Sequence, residues 1–208
     1  MVQPIRNLLV YEGIEFEDKR YNYGPEPDFD REEWYGEKFS LGLKFPNLPY
    51  YIDDDIKMTQ SVAIIRYLAR QHDLVARDEE ETQELDQLEQ HARDLAWNLI
   101  MAVASPNYDE TRPKYEQRME GILQPWEEQL QEKLWVLGER LTYVDFLLYE
   151  ALDWNYELNA NAFEGFPILT AYLKRFEELP NVEEYLSSDR YSKYPILGPM
   201  IQWGFEKE

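Results

Sequence analysis

From Thr82 onward the chain carries no strand pattern. Its apolar residues recur at spacings of three and four, beginning with Leu85, Leu88, Ala92, Leu95, Leu99 and Val103. That spacing puts them on one face of a helix. It predicts one long helix from Thr82 to about Ala104, ended before Pro106. A stripe of that length must be covered by other helices. Before residue 74 the pattern differs, because helix and strand signals alternate there. The chain thus reads as an α/β part over residues 1–73, a charged linker over 74–81 and an all-helical part over 82–208.

In the first part, Pro4 suits an opening helical turn, where its missing N–H would be unpaired anyway. Ile5, Leu8 and Leu9 give that helix an apolar stripe, and Gly13 is placed to end it. Ile14 to Tyr23 reads as a strand, with Ile14, Phe16, Tyr21 and Tyr23 among charged residues. Gly24-Pro25-Glu26-Pro27 opens a loop that runs to about Leu43. Tyr50-Tyr51-Ile52 and Ile56-Lys57-Met58 form a predicted hairpin around Asp53-Asp54-Asp55. Ser61 to Gln71 is a predicted helix with Ile64, Ile65 and Leu68 on one face.

In the second part, a helix is expected from about Pro113 to Leu134, kinked at Pro125. Thr142-Tyr143-Val144-Asp145 has the form of a capping box, with Asp in place of Glu. It should start a buried helix through Phe146, Leu147, Tyr149 and Leu152. Pro167 begins another, ending before Pro180, and Val182 to Ser187 gives a last short one.

Composition narrows the function. Hydrophobic residues make up 44% of the 208, enough for a sizeable core, and the net charge is −21. A field of that sign repels phosphate backbones and anionic lipid, so neither nucleic acid nor a membrane surface is expected as a partner. The chain has no cysteine, which removes disulfides, thiolate nucleophiles and Cys-based metal sites. With only His72 and His91 to offer imidazole, no metal is expected. No apolar run is long enough for a bilayer and no signal peptide is visible, so the expected location is cytoplasmic.

Two short motifs carry ligand-binding potential. In Asn47-Leu48-Pro49, the residue before proline is pushed toward extended backbone, and a cis proline would expose the preceding peptide. Such an edge can pair with a short peptide as an added strand would. Taken alone, the motif reads more readily as an ordinary proline turn, since such dipeptides are common turn signals. Gln60-Ser61 stands where the hairpin meets a helix, whose free N–H groups make a carboxylate site. Taken alone, it is simply an N-cap.

Their order with other segments adds a family resemblance. Gln3-Pro4-Ile5-Arg6 is followed by Asp30-Arg31, Trp34 and Lys38. Leu41-Gly42-Leu43, Phe45-Pro46-Asn47-Leu48-Pro49-Tyr50, Thr59-Gln60-Ser61 and Arg66-Tyr67-Leu68-Ala69-Arg70 come next. Pro106-Asn107-Tyr108, Thr142-Tyr143-Val144-Asp145-Phe146, Phe166-Pro167 and Gln202-Trp203 complete the series. Together these resemble the mu-class glutathione S-transferases, nearest to those of mites and other invertebrates, over essentially the whole chain.

The resemblance implies a thioredoxin-like N-terminal domain, an all-α C-terminal domain, a homodimer, and conjugation of the glutathione thiol to hydrophobic electrophiles. It implies that Trp34 and Lys38 hold the glycyl carboxylate, with Arg31 in the nearby loop. Leu48, before Pro49, would pair its backbone with the cysteinyl unit beside Asn47. Gln60 and Ser61 would hold the γ-glutamyl end, and Asp94 would reach across the dimer to its amine. Phe45 would insert into the partner subunit, with Arg66 on the same dimer face. Without the resemblance, Trp34 and Phe45 read as core and Lys38 as surface.

The chain also departs from that pattern. The family's first strand, ending in a tyrosine that hydrogen-bonds the glutathione sulfur, would precede Val2, and no residue here matches that tyrosine. The expected sheet therefore lacks its first strand. Conjugation of a chlorodinitrobenzene-type electrophile is expected to be weak or absent, with a silent binding or structural protein as the alternative reading. Ala104 stands where the family often has a tyrosine facing the electrophile, a change expected to alter substrate range or rate.

Overall fold

The computed structural model describes residues 1–206, so the last two residues of the expected helical part lie outside it. Helix α1 (Gln3–Tyr11) has its proline in the first turn, as expected. Gly13, at φ 67°, donates its N–H to the Val10 carbonyl at 2.9 Å, and Ile14 donates to Leu9 at 2.9 Å. This paired closure satisfies the last carbonyls of the helix and needs a residue tolerant of positive φ.

The expected strand from Ile14 to Tyr23 does not form; that stretch has no regular structure. A strand exists only through its ladder, and the one ladder among the described residues joins β1 (Tyr50–Asp53) to β2 (Ile56–Thr59). Side chains fix the stretch instead. Arg6 pairs with Asp18 at 2.9 Å, the Asn22 N–H donates to Glu33 at 2.7 Å, and Ile14 and Phe16 pack against the core. The expected loop contains a short helix, α2 (Glu32–Glu37), whose one buried residue is Trp34.

The hairpin pairs Tyr50 with Thr59, Tyr51 with Met58, Ile52 with Lys57 and Asp53 with Ile56. Asp53 thus joins the ladder, and the turn is made by Asp54 and Asp55. Helix α3 (Ser61–Gln71) has the expected bounds.

Helix α4 (Glu79–Val103) begins before Thr82, inside the expected linker. Asp78 caps it, accepting the Glu81 N–H at 2.9 Å, and Glu79, Glu80 and Glu81 sit where the positive end of the helix dipole favours them. The acidic run is therefore a helix start. The single kinked helix expected across Pro125 is instead two, α5 (Tyr108–Glu116) and α6 (Met119–Gln129). They part at Gln117 and Arg118, which lets Tyr115 and Met119 both be buried; Pro125 stays inside α6.

Helix α7 (Tyr143–Leu158) is the centre of the molecule, packed by α1, α3, α4 and α8 (Pro167–Glu177). Its capping box is present, with Asp145 accepting from the Thr142 N–H at 2.8 Å. A 3-10 turn (Ala160–Phe163) follows it, and α9 (Val182–Leu186) is the last helix before the tail. The architecture is thus a small α/β part carrying a two-stranded sheet, docked on an all-helical part.

Candidate functional site

The hairpin register brings the two ligand-binding motifs together. Because Tyr50 pairs with Thr59, the flanking residues Pro49 and Gln60 stand side by side at the same end of the hairpin. The Leu48–Pro49 peptide is cis, and Asn47 and Leu48 are exposed. Gln60 has φ 74° and ψ 110° and makes no side-chain cap on α3. Positive φ at a non-glycine residue costs on the order of 1–3 kcal/mol, a strain that persists only where the surroundings hold it. Behind it, the Ile64 N–H reaches the Gln60 carbonyl at 3.0 Å. The N–H groups of Ser61, Val62 and Ala63 have no acceptor among the described residues. Three free donors at the positive end of a helix can hold a carboxylate.

Trp34 and Lys38 are one helical turn apart, and the Lys38 N–H donates to the Trp34 carbonyl at 2.8 Å. The Trp34 ring is stacked on Tyr50 at 6.1 Å between centroids and meets Tyr21 edge-on at 5.3 Å. Its indole N–H has no acceptor among the described residues, yet it is not a buried unpaired atom, so it opens to solvent. The Lys38 ammonium has no ion pair among the described residues. It lies over the rings of Tyr35 and Phe39, 5.4 and 5.5 Å from their centroids. An indole donor and an uncommitted cation side by side suit a second carboxylate.

Arg31 is the N-cap residue of α2, exposed, with its guanidinium 5.7 Å from the Tyr23 ring. Asp94 stands apart from this cluster, exposed on α4 with Trp97 and Met101 on the same face. Phe45 is 70% exposed on the loop before β1, where its carbonyl accepts from Thr59 at 2.9 Å. Arg66 on α3 pairs with the buried Glu89 on α4, which also accepts from the Tyr143 hydroxyl at 2.9 Å. Among the predicted residues, then, Trp34, Lys38, Asn47, Leu48, Pro49, Gln60 and Ser61 gather around Tyr50, Arg31 borders them, and Asp94 does not join them.

Sequence reasoning missed the groups behind Trp34. The Tyr21 and Tyr50 hydroxyls lie 3.0 Å apart, and Tyr21 donates to Glu37 at 2.9 Å. Lys19 donates to the same carboxylate at 2.7 Å. Burial, then the bonds to Tyr50 and Glu37, push the Tyr21 hydroxyl pKa well up, so it stays a donor. The Lys19 bond, then Tyr21, hold Glu37 below the usual carboxylate range. The one visible signal was the spacing of Trp34, Glu37 and Lys38, which puts all three on one helix face.

Matches to known proteins follow this geometry. The model of the glutathione S-transferase N-terminal domain matches residues 2–70, and that of the C-terminal domain matches residues 94–189. Glutathione S-transferase Mu 4 of Mus musculus is 39% identical over 204 residues, covering 98% of this chain and 94% of the relative. This chain belongs to the mu class of the glutathione S-transferase family. A further mu-class transferase, Mu 1 of Rattus norvegicus, is 41% identical over 203 residues, 98% of this chain and 93% of the relative. The crystal structure of the glutathione S-transferase Blo t 8 superposes with a TM-score of 0.89 at 40% identity, covering 98% of this chain and 94% of that one. A pi-class transferase from Onchocerca volvulus gives 0.82 at 28% identity, covering 97% and 94%. In this mu-class chain, no cluster of three or more His, Asp or Glu side chains able to hold a metal occurs among the described residues. No described helix is long and apolar enough to cross a membrane.

Proposed function

We propose that this chain is a cytoplasmic, homodimeric mu-class glutathione S-transferase that binds glutathione and joins its thiol to hydrophobic electrophiles. The observation that carries the reading is the pairing of Tyr50 with Thr59, which sets an exposed backbone edge beside an open helix start. Glutathione is an extended tripeptide with a carboxylate at each end. The free N–H groups at Ser61 suit its γ-glutamyl carboxylate, Leu48 suits the backbone of its middle residue, and Trp34 with Lys38 suits the glycyl carboxylate. Asn47, Pro49 and Gln60 shape that edge, and Arg31 flanks it.

The nucleophile in such a reaction is the thiolate. Its sulfur forms a bond to an electrophilic carbon, the thiol proton is lost to solvent, and any leaving group departs with its electron pair. The residues named here bind and orient; residues 1–73 hold glutathione, and the helical part that begins with α4 faces the electrophile. Phe45, exposed on the loop before β1, is the plug for a partner subunit, with Arg66 on the same dimer face. Asp94 of one protomer then completes the site of its partner.

The test is calorimetric titration of the folded protein with glutathione, on a sample that sediments at twice the protomer mass. Micromolar to millimolar binding is expected, weakened about tenfold by Lys38→Ala through loss of a charged contact. Absence of binding by folded dimer overturns the reading. Binding with no thioether product from an activated aryl chloride reduces the function to holding glutathione.

A further inference from the structure

We propose that Tyr21, Glu37 and Tyr50 are positioning residues, a hydroxyl–hydroxyl–carboxylate hub that fixes Trp34 and Lys38 and so sets the grip on the glycyl end of glutathione. The inference rests on the glutathione reading above and adds to it the residues that make one end of the site rigid.

Tyr21 lies on a stretch with no ladder partner, Tyr50 opens β1, and Glu37 closes α2. The hub is the point where these three meet, through the 3.0 Å contact between hydroxyls and the 2.9 Å bond from Tyr21 to Glu37. Both tyrosine rings also contact the Trp34 indole, one face-on and one edge-on. An aromatic ring held on a face and an edge has one orientation, so its N–H has one direction. The hydroxyl contacts tie the polar ends of both rings as well, so the rings are fixed at more than their apolar faces.

Glu37 has a second task. It is adjacent to Lys38 in the chain and is the nearest carboxylate in sequence able to claim that ammonium. Lys19 and Tyr21 occupy it instead, at 2.7 and 2.9 Å. Lys38 is left over aromatic faces, which hold a cation more weakly than a carboxylate would and leave it available to an incoming anion. Tyr50 also directly follows Pro49, so the hub ties the glycyl end to the backbone edge proposed for the cysteinyl unit. Orientation established before binding is not lost as entropy on binding.

The experiment compares glutathione with γ-glutamylcysteine, which lacks only the glycine, on the full chain. Wild-type protein should bind glutathione more tightly than the dipeptide. Tyr21→Phe should weaken glutathione about fivefold and leave the dipeptide within about twofold, as expected when a contact to glycine alone is loosened. Glu37→Gln, which keeps an acceptor for Tyr21 but frees Lys19, should fall between the two proteins. In a Trp34→Phe background, Tyr21→Phe should cost little more, since the two act as one unit. Equal weakening of both ligands, or of neither, by variants that retain the wild-type near-ultraviolet circular dichroism overturns the hub alone. Wild-type protein that binds neither ligand overturns the glutathione reading and the hub with it.

Discussion

Between residues 14 and 63 only Trp34 and Leu43 are buried apolar side chains, whereas α7 alone buries Val144, Phe146, Leu148, Ala151 and Leu152 completely. The first region is held by charged and hydroxyl pairs such as Arg6–Asp18, Lys19–Glu37 and Tyr21–Tyr50. The second is held by close packing, with polar groups admitted only where every donor is met. Ligand-binding elements come from the low-stability end of a fold, because they must adjust. Here the division follows the chain, with the proposed glutathione edge on the weakly packed side and the helical block as its rigid support.

The largest test of that contrast is Asp145→Ala. The Asp145 carboxylate is fully buried and accepts from the Val136 N–H at 2.9 Å, the Thr142 N–H at 2.8 Å, the Thr142 hydroxyl at 3.0 Å and the Tyr172 hydroxyl at 3.1 Å. Alanine strands these donors in the core, and each stranded group costs about 1–3 kcal/mol. Some will find other acceptors, so a net loss of about 4 kcal/mol is expected in urea unfolding. A loss under about 1 kcal/mol, no more than a surface hydrogen bond, would break the contrast.

A smaller effect tests the tail that follows α9. Lys193 lies 2.8 Å from Asp153 and 2.9 Å from Glu157, both on α7. Lys193→Met leaves Asp153 without its cation, for about 2 kcal/mol after allowance for partial exposure. The sign of the pH dependence is fixed by both partners. Burial raises the Asp153 carboxyl above its ordinary range, even against Lys193, so it takes a proton early on acidification. Burial lowers the Lys193 ammonium, but Asp153 and Glu157 outweigh it and raise it overall, so its contribution is full below its ordinary value and lost above. The difference in thermal midpoint between variant and wild type should be greatest near pH 8 and shrink toward pH 5. A pH-independent difference would mean that Lys193 acts through its methylene stem.

What the sequence made legible was what is local. The bounds of α3, the hairpin, the Pro167 start of α8 and the Thr142–Asp145 box each rest on contacts within a few residues. The strand expected from Ile14 to Tyr23 failed because pairing is a property of a neighbour, and alternation alone supplies none. Helix α2 was hidden because six residues give too little periodicity, and its cause is the burial of Trp34 against Tyr50 and Tyr21, far away in the chain. The same distance hid the Tyr21–Glu37–Tyr50 hub. The motifs at Asn47-Leu48-Pro49 and Gln60-Ser61 were visible, but their adjacency is a consequence of hairpin register.

The smallest expected effect has the opposite sign and lies on the weakly packed side. Gln60 holds φ 74°, a region glycine enters freely and glutamine does not. Gln60→Gly should relieve strain of about 1–3 kcal/mol, offset by the larger chain entropy glycine loses on folding. A net gain of about 1 kcal/mol follows, a rise of a few degrees in thermal midpoint for a chain of this size. Glutathione binding should weaken in the same variant, because the side chain proposed for the γ-glutamyl end is gone and the approach to the free Ser61 N–H groups is no longer held. Stability and affinity moving in opposite directions would tie the strain at Gln60 to its ligand. If stability falls instead, the positive φ is compensated by contacts of the glutamine itself, and residue 60 belongs with the close-packed half in how it is held.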